Sequence, residues 1–156
     1  MNQTVYIETT IPSSYCDERP EPEMVARRRW TRLWWDKRRG KYSLFSSVAV
    51  KDELRKSSHT SKNAKLALIE GLPLLELTSD VLEIAGVYIE RYVMPSDPAG
   101  DALHLALATH YKIDVLLTWN CEHLANENKM THIRRTNALM GLWTPAIVTP
   151  LNLLGG

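Results

Sequence analysis

Apolar positions along this chain repeat with two different periods, and the periods take turns. Residues 4–9 (TVYIET) and 42–47 (YSLFSS) are runs of β-branched, aromatic and hydroxyl residues, which predict strands. Between them, Ala26, Trp30, Leu33 and Trp34 recur at helical spacing and predict an amphipathic helix over residues 24–39, after an acidic, proline-broken loop over 17–23. A short helix is predicted over 48–56, a polar linker over 57–63, a helix over 64–70 and a strand over 72–77. Asp80 or Ser79 is placed to cap a helix with Val81, Ala85, Tyr88 and Tyr92 on one face. Asp97-Pro98 reads as the start of a helix running to about Tyr111, its Leu105, Leu107 and Ala108 suited to close packing on a sheet.

Residues 113–119 form the clearest strand, apolar on both faces as a buried parallel strand requires. A short helix is expected to carry His123, Leu124 and Ala125, followed by a helix over 133–141 ended by Gly141. The chain closes with a strand over 146–148 and a turn at Thr149-Pro150. Strands and helices alternating without repeats or an internal boundary predict one α/β domain over residues 1–156, a three-layer sandwich with a central parallel sheet between helices.

Composition adds two constraints. The chain has 156 residues and is 44% hydrophobic, enough for one ordinary core, and its formal charge of +1 favours no partner. The charge is unevenly spread, however: Arg27, Arg28, Arg29, Arg32, Lys37, Arg38, Arg39 and Lys41 crowd into one stretch. That stretch reads either as the solvated face of an amphipathic helix or as a surface for phosphate backbones, with tryptophans for packing or stacking. Cys16 and Cys121 are too few for a disulfide framework, no secretory signal is read at the N-terminus, and no apolar run has membrane-spanning length. The expectation is a cytoplasmic protein without a membrane partner.

Several chemistries are excluded by missing motifs. There is no GxGxxG, no GxxxxGK[ST] and no GxSxG, and the five histidines lack metal-pair spacing within any predicted helix. His104, three residues after Asp101, reads as a packing or supporting residue. The candidates that remain are oxygen donors at strand ends or in the helices that follow strands: Glu8, Glu53, Asp101 and Asn120. Such donors suit hard divalent cations, Mg²⁺ or Mn²⁺, which activate water and clamp phosphodiester charge. Two of them also have non-catalytic explanations. Glu8 could be an edge charge, and Asp101 at a helix start gains about 0.3–1 kcal/mol from the helix dipole alone.

Four segments in order, VYIETTIPS, SSVAVKDEL, GDALHLALA and LLTWNCEHLAN, resemble the motifs of the PIN-domain nucleases, particularly the VapC-like toxins of toxin–antitoxin pairs. The wording ETTIPS and TWNCxHLAN is closest to one subgroup. The resemblance implies an endoribonuclease that hydrolyses RNA with a metal-activated water, using Mg²⁺ or Mn²⁺ held by Glu8, Glu53 (rather than Asp52) and Asp101. It implies that Thr9 and Thr118 orient ligands or water from behind, that an antitoxin protein covers the site, and that the chain is a homodimer. On the phosphate-surface reading of the basic stretch, Arg28, Arg32, Arg38 and Arg39 contact nucleic acid. Two departures stand out. Glu8 replaces an aspartate, and Asn120 replaces the fourth acid, with Glu122 as a substitute two residues on. These departures favour an alternative, a catalytically weakened scaffold that binds RNA or protein without cutting. A different α/β enzyme, of phosphatase or receiver type, lacks the early paired aspartates that such a reading needs.

Overall fold

The computed structural model describes residues 2–57, 61–96 and 100–155. Its frame is a five-stranded parallel sheet in the order β3-β2-β1-β4-β5, with β1 Gln3–Ile7, β2 Tyr42–Ser47, β3 Leu74–Leu75, β4 Val115–Leu117 and β5 Ala146–Val148. The predicted strand at the start of the chain is therefore the central one. β1 is flanked by β2 and β4, and Val5, Tyr6 and Ile7 are fully buried, as a strand covered on both faces demands. β3 is shorter than the predicted strand over 72–77 and lies at the edge, where its two residues pair with the end of β2.

Eight α-helices connect the described strands. They are α1 Thr10–Tyr15, α2 Pro22–Lys37, α3 Val48–Lys56, α4 Lys62–Ile69, α5 Ser79–Glu90, α6 Gly100–His110, α7 Glu127–Met140 and α8 Pro150–Leu154. α2 packs on α1 and α8, while α5 packs on α6, so the helices flank the sheet in layers. α6 is the most enclosed: Ala102, Leu105, Ala106, Leu107 and Ala108 are fully buried, and the alanines let it approach its neighbours closely.

Caps explain where the described helices begin and end. Ser47 caps α3 by accepting from Val50 N, and Asn126 caps α7 by accepting from Lys129 N. Thr149 and Asn152 form a capping box on α8, and Gly141 takes the left-handed conformation, φ 67°, that closes α7.

The structure corrects several sequence-based expectations. The cap of α5 is Thr78, not Asp80 or Ser79. Tyr92 falls beyond that helix at φ 60° and is exposed, because the helix stops at Glu90 before the face can extend. Leu33 is exposed on α2, whose buried residues are Thr31, Trp34 and Trp35. The expected short helix over 123–125 is a loop. There Asn126 Nδ2 donates to the Cys121 and Glu122 carbonyls, and this local bonding replaces a helical ladder. The Asp97-Pro98 start signal and part of the 57–63 linker lie outside the described residues.

Candidate functional site

Three carboxylates from different elements lie at the edge of the sheet where the parallel strands end. Open α/β folds form their crevices there, at the point where the strand order turns. Each arrives for a local reason. Ile7 pairs with Leu117, so the next residues, Glu8 and Thr118, stand side by side beyond the strands, and a one-residue slip in register would separate them. β2 runs directly into α3, which brings Glu53 to the same edge. Asp101 lies in the first turn of α6, whose N-terminus touches this edge, since a Cβ built on Gly100 would lie 3.4 Å from both Glu53 carboxylate oxygens.

Glu8 is only 3% exposed. Among the described residues, its carboxylate accepts at Oε1 from Thr10 N at 3.1 Å, from Thr118 Oγ1 at 2.7 Å and from Thr10 Oγ1. Burial pushes its carboxyl above the ordinary value of 4.5, and the charge of His104 with the Thr10 and Thr118 hydroxyls offsets only part of that. Glu53 is 42% exposed, and its Oε1 meets His104 Nε2. Partial burial pulls its carboxyl up, but the hydrogen bond and charge of His104 outweigh this and hold it below 4.5. Asp101 uses both oxygens: Oδ1 accepts from Asn120 Nδ2 at 2.9 Å, and Oδ2 lies 3.0 Å from His123 Nδ1.

At the centre of this group lies His104, 1% exposed. Burial works against its charged form, yet Glu53, Glu8 and Asp101 together raise its pKa above the ordinary 6.5. Of the three, Glu53 touches the imidazole, while Glu8 and Asp101 act on it through charge alone. His104 also lies 3.4 Å from Thr9 Oγ1, which places Thr9 at the site.

The other expected residues divide. Thr118 is fully buried and binds both Glu8 and the backbone N–H of Asn120, at 3.0 Å. Asn120 does not present its carbonyl oxygen as a free ligand: Oδ1 accepts from His123 N at 3.0 Å, while the amide nitrogen holds Asp101. Glu122 is 85% exposed and lies 3.6 Å from His123 Nε2, so it touches the histidine rather than the carboxylates. His123 had only a weak signal in sequence; what places it here is the loop that follows β4.

The basic stretch splits in the same way. Arg28 Nη1 donates to the Asp17 carbonyl at 2.7 Å, and Arg32 Nε donates to the Tyr15 carbonyl at 2.9 Å with its guanidinium over the Tyr15 ring, so they brace the loop after α1 and the last turn of α1 itself. Arg38 and Arg39 precede β2 at the opposite edge of the sheet, with Arg39 lying over Trp35. The six residues of β2, about 20 Å at ~3.3 Å each, separate them from the carboxylate edge. Arg27 is closer to the site: its guanidinium lies 5.3 Å from the ring centre of Trp119, next to Asn120.

The donor set of three carboxylates is chemically that of a hard-cation site. Among the described residues, no three His, Cys, Asp or Glu side chains are grouped so as to enclose an ion as they lie. Glu8 and Glu53 each commit Oε1 to protein donors, so the oxygen each would offer a cation is Oε2.

No family model matches the sequence, and no curated protein matches it. Among solved structures, a chain in the crystal structure of VapBC2 from Rickettsia felis, bound to a DNA fragment from their promoter, is similar over 94% of this chain and 98% of that one. The TM-score is 0.54 at 14% sequence identity. At that identity the likeness concerns the fold, and it agrees with a PIN-like sandwich of a five-stranded parallel sheet between helices. Among the described residues, no helix is long and apolar enough to cross a membrane.

Proposed function

We propose that this protein is a metal-dependent endoribonuclease acting as the toxin of a toxin–antitoxin pair. What supports this reading is that Glu8 stands at the end of the central strand, while Glu53 lies against His104 and against the first turn of α6, which carries Asp101, all at the crevice edge of a PIN-like sheet. The likeness to a VapBC2 chain supports the toxin role and, with it, an antitoxin partner. Glu8, Glu53 and Asp101 would hold Mg²⁺ or Mn²⁺, which when bound lowers the pKa of a coordinated water and offsets the charge of a phosphodiester under attack. The chain's own contribution is positional. Thr10 and Thr118 fix one oxygen of Glu8, while Asn120 and His123 fix Asp101. Arg27, which lies over the Trp119 ring and pairs with Glu23, is the arginine of this stretch that we expect to meet a phosphate of RNA entering the crevice.

The test is cleavage of RNA by the purified chain. Turnover that needs Mn²⁺ or Mg²⁺, stops with EDTA and is lost in Asp101→Asn supports the reading, whereas cleavage that survives both treatments rejects it. A specific observation favours a second reading, an RNA- or protein-binding scaffold that does not cut: both oxygens of Asp101 are already occupied, and the fourth position holds an amide. Tight RNA binding without turnover at millimolar Mn²⁺ would select that reading.

A further inference from the structure

Four buried or half-buried polar side chains form one hydrogen-bonded line from the cap of α3 to the carboxylate of Glu53. Ser47 Oγ accepts from Val50 N, which is its capping bond, and lies 2.7 Å from Tyr6 Oη. Tyr6 Oη lies 2.6 Å from His104 Nδ1, and His104 Nε2 meets Glu53 Oε1. Ser47, Tyr6 and His104 are all buried, so none of them can exchange these partners for bulk water without cost.

Counting protons fixes the direction of the line when the imidazole is neutral. An ionised carboxylate only accepts, so Nε2 carries the proton and donates to Glu53. Nδ1 is then an acceptor and takes the Tyr6 hydroxyl proton. Tyr6 oxygen in turn accepts from the hydroxyl of Ser47, whose own lone pair is engaged by Val50 N–H. Every donor meets an acceptor, and one tautomer is selected by the carboxylate of Glu53.

We infer that His104 is the positioning residue of the candidate metal centre: anchored through Tyr6 and Ser47, it holds one oxygen of Glu53 and leaves the other to serve as a cation ligand. The inference rests on the metal-centre reading above and adds a residue that the motif pattern did not assign. Asp101 and His104 lie three residues apart on α6, so one rigid helix carries both a ligand and the group that orients a second ligand from α3. Partners of this kind, acting behind the ligands, set metal affinity by holding the ligand in place before the ion arrives.

The experiment is a Mn²⁺ titration of the full chain, with free Mn²⁺ read by electron paramagnetic resonance, and thermal unfolding in EDTA recorded alongside. His104→Leu keeps the volume and removes both hydrogen bonds, and the expected result is Mn²⁺ binding weaker by about 10- to 100-fold. His104→Gln, which can still donate toward Glu53 and accept from Tyr6, is expected to recover part of that loss. Tyr6→Phe tests the far end of the line and also serves if His104→Leu does not fold; it is expected to weaken Mn²⁺ binding by about 10-fold. Tyr88→Phe is the control. It removes the hydroxyl of another fully buried tyrosine, one bonded to Thr109 and Asn137, and is expected to lower the unfolding midpoint without moving Mn²⁺ affinity. Wild-type affinity in Tyr6→Phe and in folded His104→Leu would overturn the positioning role while leaving the metal centre intact. A wild-type chain that binds no Mn²⁺ would instead overturn the centre itself, and the inference with it.

Discussion

At the scale of single residues, the site is defined by which atom of each polar group is already committed. Asn120 is the clearest case. An amide in place of an acid reads in sequence as a lost charge and a remaining carbonyl ligand, but in the fold the amide nitrogen faces Asp101 and the oxygen caps the following loop. The residue has exchanged ligation for support. His104 makes a separate prediction through its charge. Its folded pKa lies above 6.5, so the folded state binds the proton more tightly than the unfolded chain. Its contribution to stability is complete below 6.5 and is lost as pH rises through the higher folded value. Chemical denaturation in EDTA across that window is expected to show wild-type stability falling with pH and His104→Gln giving a flatter curve. Glu8, also raised, contributes a slope of the same sign beginning at lower pH, from 4.5, and this slope remains in the variant. A wild-type curve that rises with pH above 6.5 would contradict the assignment.

At the scale of elements, α2 shows a helix whose apolar face periodicity predicts only in part, with Trp34 buried and Trp30 packed on the core but Leu33 exposed. Its existence follows from periodicity, and it spans Pro22–Lys37, starting two residues earlier than expected with proline in the first turn. Its buried stripe, however, is centred on Thr31, Trp34 and Trp35, not on Leu33. Hydropathy cannot anticipate this, because the deciding contact is polar. Trp119 Nε1 donates to Thr31 Oγ1 at 2.8 Å, and the Trp119 ring stacks on Trp30 with centroids 6.0 Å apart. The residue beside Asn120 is thereby tied to the middle of α2. Thr31→Val keeps the shape and leaves a buried indole N–H unpaired, at an expected cost of about 1–3 kcal/mol in unfolding free energy. A change within about 0.5 kcal/mol, the range of an inconsequential surface substitution, would show that the bond does not hold the helix.

At the scale of the whole molecule, the parallel sheet sorts the chain into two edges. The carboxylates gather where the strands end, while Arg38, Arg39 and Lys41 stand where β2 begins. A basic cluster that is continuous in sequence is thus divided in space, and the proposed RNA binding would draw on its members unequally. Arg27→Gln is expected to lower the salt slope of binding for a short oligonucleotide by about 0.7, one single-strand phosphate contact. Arg38→Gln combined with Arg39→Gln is expected to leave that slope unchanged. Equal effects from both variants, in a fluorescence-anisotropy salt series, would mean that RNA wraps past both edges. Arg28 and Arg32 are unsuited to such a test, because replacing either one also releases a backbone carbonyl.

Local pattern alone was sufficient for the order of the principal strands and helices and for the α/β class with a central parallel sheet. Each of these depends on periodicity, capping and the composition of a few neighbouring residues, which the chain carries wherever it folds. Register, facing and edge were decided only in three dimensions. The pairing of Ile7 with Leu117 sets Glu8 against Thr118, the end of α6 sets Asp101 against Asn120, and the Ser47–Tyr6–His104 line reaches Glu53 across three elements. The physical reason is that a hydrogen bond is set by distance and direction between atoms remote in sequence, and His104 has no neighbour along the chain that signals the partners it meets.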